Sequence, residues 1–265
     1  MAGLRTAWWA LRRWLDALGI APSRTARALA ALPRHLRERR AFAARTDWPL
    51  ATYPCLLDRD GEAALLGEYF WQDLFVARRI IEAAPRRHID VGSRIDGFVA
   101  HLACVRPVEV FDIRPLAHAI PNVSFRQWDL TAPVPAVAEA GADCVSCLHT
   151  LEHVGLGRYG DRLDPDGWRQ GLARLASLVL PLGCLWLSVP VGRRRVEFNA
   201  HRVFDPAELV AAAAQHGLVL DEFIALDAGG TRGTGIDAQH LARVAAREYA
   251  LGVFRFVRPA AESAA

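Results

Sequence analysis

Apolar and polar positions follow two rhythms along this chain, one near its start and another after about residue 85. Leu4, Trp8, Leu11, Leu15 and Leu18 recur at helical spacing, with Arg5, Arg12 and Arg13 between them. That spacing predicts an amphipathic first helix. Pro22-Ser23 breaks the pattern, and a second helix is expected from about Thr25 to Ala44. Residues 47–61 have no periodicity and read as an irregular connector. Glu62 to Ala84 reads as a long helix, with Leu66, Phe70, Leu74, Ala77 and Ile81 on one face. Thereafter short apolar runs alternate with helical patterns. Strands are expected at 87–92, 107–112, 123–128, 143–149, 184–190, 218–226 and 250–257, and helices at 97–104, 167–179, 205–216 and 237–247. Asp205-Pro206-Ala207-Glu208 is a helix start, with Asp as N-cap and Pro in the first turn.

Such alternation predicts an α/β fold: a Rossmann-like, doubly wound, mostly parallel sheet of seven strands, covered on both faces. An N-terminal helical extension precedes it. The expected division is an Arg-rich extension and connector over 1–60, the α/β domain over 61–258 and a flexible tail over 259–265.

Composition narrows the chemistry. Every one of the 32 basic residues is Arg, since the chain has no Lys. No lysine Schiff base can form, which excludes pyridoxal-phosphate catalysis, and no Walker or kinase lysine exists. A net charge of +3 is too mild to argue for nucleic acid. Five cysteines make an odd set without the spacing of a disulfide framework, which fits a reducing compartment. No apolar run is long enough to span a membrane, and Arg and Trp interrupt any signal-peptide pattern, so a cytoplasmic protein is expected. For the Arg-rich, acid-poor start two readings stay open. It is an amphipathic segment resting on the inner face of an anionic membrane with Trp8, Trp9 and Trp14, or a pair of helices packing on the core or on a partner. The second is favoured, because an apolar face with aromatics suits both.

The strand ends carry the chemistry. His88-Ile89-Asp90-Val91-Gly92-Ser93 is a buried strand breaking into a glycine loop, a cradle for a nucleotide-like ligand. The next strand ends Val110-Phe111-Asp112, where an acid can accept hydrogen bonds from ribose hydroxyls. The third ends Gln127-Trp128-Asp129, where an acid can receive an adenine amino group. One such acid is an ordinary strand end; three in succession are a signal. In an open α/β sheet they lie along the rim where ligands sit.

This order resembles class I S-adenosylmethionine-dependent methyltransferases. It does so in Asp90-Val91-Gly92, in Asp112, in Asp143-Cys144-Val145 through Leu151-Glu152-His153-Val154, and in Leu180-Pro181-Leu182-Gly183 leading to Leu185–Pro190. A closer resemblance is to an uncharacterised family, the domain of unknown function 268. Its phrases here are Tyr69-Phe70-Trp71-Gln72-Asp73, Asp90 through Phe98, Asp112-Ile113-Arg114-Pro115, Gly155 through Asp161, Asp164 through Gly167 and Glu197 through Phe204. The resemblance implies S-adenosyl-L-methionine as cofactor. Asp90, Gly92 and Ser93 would hold its amino-acid part, Asp112 would bind its ribose and Asp129 would lie near its adenine, with Gly97, Ile113 and Leu148 also expected to contact it.

The chain departs from the methyltransferase loop at two places. Arg94 stands where the middle Gly usually falls, and Gly97 comes one residue late. The Arg side chain can crowd the cofactor's methionine part, swing out, or bind its carboxylate. The string His149-Thr150-Leu151-Glu152-His153 matches the H-x-x-E-H zinc-hydrolase signature, but a strand runs into it and Gly155 and Gly157 follow, leaving little room for the helix that zinc needs. No metal is expected. Cys144 and Cys147 fall inside a strand on opposite faces and read as buried hydrophobes.

In the methyltransferase reading His149 lines the methyl end, Glu152 and His153 face the substrate, and His153 acts as base. The alternative is that Glu152 and His153 only cap the loop. Gly155–Gly167, with Arg158, Tyr159 and Asp161, is the expected substrate lid. Asn199, His201 and Arg202 are placed on the same rim, Arg202 either holding an anionic group or packing the loop through an Arg–carboxylate pair. The Arg193-Arg194-Arg195 run reads as a solvated turn. The expected activity is methyl transfer to an oxygen or nitrogen of a small molecule or saccharide, without nucleic acid. The rivals are a methyltransferase-like scaffold that lost its cofactor and a zinc hydrolase on His149 and His153.

Overall fold

The computed structural model describes residues 2–58, 67–227, 230 and 232–260, with the side chains of 2–7, 9, 10 and 232 left aside. The chain divides into two compact units, Met1–Leu65 and Leu66–Ala265. In the first, α1 (Ala2–Ala17) and α2 (Pro22–Ala43) are separated at the predicted break, and α2 starts on Pro22 itself. The stretch after Ala44 has no regular structure through Leu56, as its lack of periodicity predicts.

The second unit opens with α3 (Glu68–Ala83). Residues 62–66 of the predicted helix lie outside the described residues. The seven expected strands all form: β1 (His88–Val91), β2 (Val108–Asp112), β3 (Val123–Gln127), β4 (Ala142–Leu148), β5 (Val179–Val191), β8 (Val219–Leu226) and β10 (Ala250–Val257). Three short strands were not expected: β6 (Arg195–Glu197), β7 (His201–Val203) and β9 (Arg232–Thr234). The main sheet therefore has eight strands, in the order β3-β2-β1-β4-β5-β10-β8-β9, and β6 and β7 form a separate hairpin. From β3 to β5 all neighbours are parallel, whereas β10 runs antiparallel to both β5 and β8, and β8 to β9.

Period-two alternation sorts the strand side chains onto two faces. On one, Val76 and Ile80 of α3 and Leu102 of α4 (Ala100–Ala103) meet Val110, Cys144, Leu148 and Trp186. On the other, α5 (Gly167–Ser177), α6 (Pro206–Ala214) and α7 (Ala238–Ala245) cover Val145, Cys147, Leu187 and Phe254. Cys144 and Cys147 thus point to opposite faces, each buried among hydrophobes. Asp205 caps α6 by accepting from the Ala207 N–H. The predicted helix at 97–104 instead begins as a wider π-turn over Ile95–Val99 before α4. Gly97 lies in this turn, where a β-carbon would come within 2.5 Å of Asp73 Oδ2 of α3. β5 starts five residues earlier than predicted, because Val179 pairs with Ala142 ahead of a bulge that absorbs Leu180–Gly183. The strand order reverses between β1 and β4, and this switch point positions the site.

Candidate functional site

Beyond the carboxyl ends of β1 to β4 lies a cavity of about 810 Å³, within the size range of small-molecule and cofactor sites. Its floor is built by close approach of two strand ends. Gly92 has φ +74° and its N–H donates to the Phe111 carbonyl at 2.7 Å. A β-carbon at Gly92 would stand 2.4 Å from Thr150 Cγ2, so glycine is required by both conformation and space.

Beneath this bend Asp90 is fully buried. It accepts from the Ser93 hydroxyl at 2.6 Å, the Ser93 N–H at 3.2 Å and the Ser146 hydroxyl at 2.6 Å. Ser93 in turn accepts from the Leu148 N–H, and Ser146 meets His88 Nε2 at 2.8 Å. Asp90 and Leu148 therefore hold the loop from below and do not line the cavity, while Gly92 and Ser93 do. Burial pushes Asp90 up to about 7 against its three hydrogen bonds, and burial pushes His88 down to about 3.

These shifts have opposite consequences for stability. Asp90, raised in the folded state, stabilises it on acidification from about pH 7 to 3.8; His88, lowered, destabilises it from 6.5 to about 3. Between about pH 4 and 6.5 the two slopes cancel. Asp90→Asn removes one of them. Urea unfolding of that variant is expected to gain stability with rising pH by up to about 1.4 kcal/mol per pH unit relative to the parent. An unchanged slope would show that the pair does not titrate in this way.

Arg94 leaves the cavity's interior open. Its guanidinium pairs with Asp96 at 3.1 Å, is half exposed, and lies 5.5 Å from the Tyr69 ring centre. Gly97 faces Asp73 and is not part of the cavity wall. Asp112 and Ile113 are in the wall, but Asp112 is engaged: Arg114 donates from its N–H, Nε and Nη2 at 2.8, 3.1 and 2.8 Å. Asp129 lines the wall and accepts from both the N–H and hydroxyl of Thr131 through one oxygen, Oδ1. Between these acids the surface is apolar, with Ile95, Val99, Phe125, Trp128 and Leu130.

At the other end stands His149, in a left-handed conformation with φ +53°. Its N–H donates to Ser188 Oγ, its ring packs 4.2 Å from the Tyr69 ring, and its Nδ1 lies 2.8 Å from Glu152 Oε1. Glu152 is completely buried. Burial works to raise its carboxyl, but His149, with help from His153, holds it below the usual range. An ionised Glu152 accepts, so Nδ1 of His149 carries a proton. The ring's Nε2 is buried with no hydrogen-bond partner among the described residues. His153 is differently placed. Its Nδ1 donates to the Ala200 carbonyl at 2.6 Å and its Nε2 sits 3.6 Å from Glu152. Burial first, opposed by Glu152, lowers its pKa.

The H-x-x-E-H string forms a strand end and a single 3-10 turn, Leu151–His153, not the helix a zinc hydrolase requires. Among the described residues no group of three or more His, Cys, Asp or Glu is arranged to hold a metal ion.

The loop expected as a lid folds on Asp161, which accepts from the N–H groups of Gly155, Gly157 and Tyr159. Arg158 donates to Ala200 and stacks on Tyr159, whose ring also lies 4.9 Å from the Arg114 guanidinium. Arg158, Tyr159 and Asp161 all line the cavity. Asn199, His201 and Arg202 do not. Arg202 is buried and donates to the carbonyls of Glu152, Val154, Asp164 and Pro165, so it fastens the lid's base from behind. Its partners are carbonyls, not the carboxylate expected for loop packing. His201 and Asn199 fall in the β6–β7 hairpin, His201 facing Glu197. The three arginines at 193–195 pair with Glu248, Glu208 and Glu197. Sequence reasoning gave no site role to Tyr69, Thr150 or Arg114. Tyr69 and Arg114 lie in phrases that carry the family resemblance, the one signal that pointed to them.

Residues 125–220 match the family model described as "Caenorhabditis protein of unknown function, DUF268". No curated protein matches the chain. Among solved structures, the [4+2]-cyclase SpnF is similar at 13% identity and a TM-score of 0.50, over 71% of this chain and 81% of that one. The N-methyltransferase NodS from Bradyrhizobium japonicum WM9, in complex with S-adenosyl-L-homocysteine, aligns at 14% identity and a TM-score of 0.48, over 73% and 89%. Magnesium protoporphyrin IX methyltransferase from Synechocystis PCC 6803 aligns at 14% identity and 0.47, over 89% and 99%. The cyclase likeness is one of fold alone.

Proposed function

We propose that this chain transfers the methyl group of S-adenosylmethionine to an oxygen or nitrogen of a small molecule or saccharide. The observation that carries this reading is the open cavity at the switch point. It combines a glycine bend, acids at two successive strand ends and an apolar wall between them, and its far end presents a histidine oriented by a buried glutamate. The cavity suits the cofactor in size and in chemistry: carboxylates for hydroxyl and amino groups, apolar side chains for a heterocycle. Gly92 and Ser93 would hold the amino-acid part, Asp112 and Ile113 the ribose, and Asp129 with Phe125 and Leu130 the adenine. When bound, S-adenosylmethionine supplies an electrophilic methyl group on a sulfonium.

The base in this reading is His149 and not His153. Glu152 fixes the His149 ring and its tautomer, leaving Nε2 as the nitrogen that takes the acceptor's proton. Both nitrogens of His153 face other partners, Ala200 and Glu152. Tyr69 packs the imidazole in place, and the lid residues Arg158 and Tyr159 border the acceptor's entry. Positioning does most of the remaining work, as a transfer between held reactants requires few catalytic groups.

Calorimetry with S-adenosylhomocysteine tests the cofactor assignment. The parent is expected to bind one equivalent, and Asp112→Ala to bind about 10–100-fold more weakly through loss of charge-assisted hydrogen bonds. A parent that binds none removes the assignment. The second reading, a methyltransferase-like scaffold without cofactor, is favoured by one observation, the three hydrogen bonds by which Arg114 already engages Asp112. Arg114→Ala separates the two: it strengthens cofactor binding if Arg114 merely competes, and has no effect in a protein that binds none.

A further inference from the structure

The N-terminal unit has a charge and a surface that the catalytic reading does not use. Residues 1–45 carry ten Arg against two acids, a net charge of +8, whereas the other 220 residues carry 22 Arg against 27 acids, a net of −5. The chain's mild overall charge hides this separation. On α1 the apolar positions Trp8, Leu11, Trp14 and Leu15 fall on one stripe at 3.6-residue spacing, continued by Leu18 in the turn that follows, with Arg12 and Arg13 off it. The stripe is open to solvent: Trp14 is 71% exposed and Leu18 70%, with Leu11 and Trp8 also exposed. Ile20, in the turn that follows, and Leu29 and Phe42 of α2 are exposed as well, and α2 buries none of its residues. No described helix is long and apolar enough to cross a bilayer.

We propose that α1 lies in the surface of an anionic lipid bilayer, its tryptophan and leucine stripe among the upper acyl chains and its arginines at the phosphates. A helix with a sharp apolar face, aromatic residues on it and arginines beside it partitions into the interface rather than through it. Tryptophan is the residue that most suits that depth. Charge selects the surface. Each basic side chain near an anionic membrane adds about 1 kcal/mol of attraction, so a segment at +8 discriminates strongly between anionic and neutral lipid. A second protein molecule would satisfy the apolar stripe equally well but gives no reason for so many arginines around it. This inference concerns the N-terminal unit alone and stands or falls separately from the methyl-transfer reading.

The test is flotation of the full-length protein with vesicles of phosphatidylcholine alone and of phosphatidylcholine mixed equally with phosphatidylglycerol, followed by tryptophan emission. Binding is expected to the mixed vesicles only, with a blue-shifted emission, and to fall as salt rises. Leu11→Glu, at an exposed position, is expected to abolish flotation while leaving the far-UV circular dichroism of the second unit's fold and the urea unfolding midpoint unchanged. Replacing Arg12 and Arg13 by Gln is expected to weaken binding about 30-fold, the equivalent of about 1 kcal/mol for each charge. Equal binding to neutral vesicles overturns the role given to charge. Failure to float with either vesicle overturns the proposal, and a dimer in solution that Leu11→Glu dissociates would assign the stripe to a second copy.

Discussion

His149→Asn is expected to bind S-adenosylhomocysteine with the parent's affinity and to slow methyl transfer by about 10²–10⁴-fold, the usual contribution of a positioned general base. The expectation rests on the ring's two nitrogens. Nδ1 is committed to Glu152, His149 lines the cavity, and its Nε2 has no hydrogen-bond partner among the described residues. Asparagine is smaller but can still donate toward Glu152 from its amide, and it has no basic nitrogen. Glu152→Gln provides the companion measurement. It keeps the packing and removes the charge that selects the tautomer, so Glu152 acts as a positioning residue. The rate of that variant should fall less than that of His149→Asn, because the imidazole remains and only the acceptor that orients it is weakened. His153→Asn should change the rate little. A larger loss at His153 than at His149 would return the base role to His153. Radiolabelled cofactor with a panel of hydroxyl and amine acceptors provides the rate.

Gly155→Ala is expected to be among the most destabilising single changes in the second unit, costing about 3–5 kcal/mol in urea unfolding. Gly155 begins the lid with φ +82°, where an L-residue pays about 1–2 kcal/mol. The larger effect is steric. A β-carbon there would lie 2.0 Å from the carbonyl oxygen of Asp164, which is backbone and has no rotamer by which to retreat. Gly155 also accepts from the Asp164 N–H and donates to Asp161, so the pinch that closes the lid on itself has to open. Gly160→Ala is the control. Its φ is +87° but nothing lies within 4 Å of the added carbon, so only the conformational cost of about 1–2 kcal/mol applies. Limited proteolysis should cut Gly155→Ala in the lid and leave Gly160→Ala intact. Equal stability losses for the two would show that the lid relaxes around the clash.

The strands and long helices were legible because their apolar periods are long enough to register. β9, β6 and β7 were not, since three residues make no period, and the short hairpins that pair them, as with Leu226 opposite Arg232, leave no alternation to read. The same limit applies to the site. Gly92, Asp112 and Asp129 could be placed because a strand end in an α/β sheet has one location whatever the rest of the chain does. Arg202 sits equally well by position, but its side chain turns into the lid's base and spends its donors on carbonyls, a direction that spacing does not encode. Glu152 was read as facing the substrate; it lies fully buried behind His149, which only a three-dimensional turn reveals. Tyr69 is 80 residues from the histidine it packs against, and no local pattern links them. Arg94 was legible as an anomaly but not in its resolution, the pair with Asp96 two residues on.

The central claim is that the cavity at the ends of β1 to β4 receives an adenosyl ligand. A crystal structure of the full chain grown with saturating S-adenosylhomocysteine tests it most directly. The account predicts the ribose at Asp112, with Arg114 displaced or turned aside, the adenine beside Asp129 and Phe125, and the sulfur toward His149. A crevice that stays empty at saturation, or a ligand bound elsewhere with Arg114 still clasping Asp112, would contradict it.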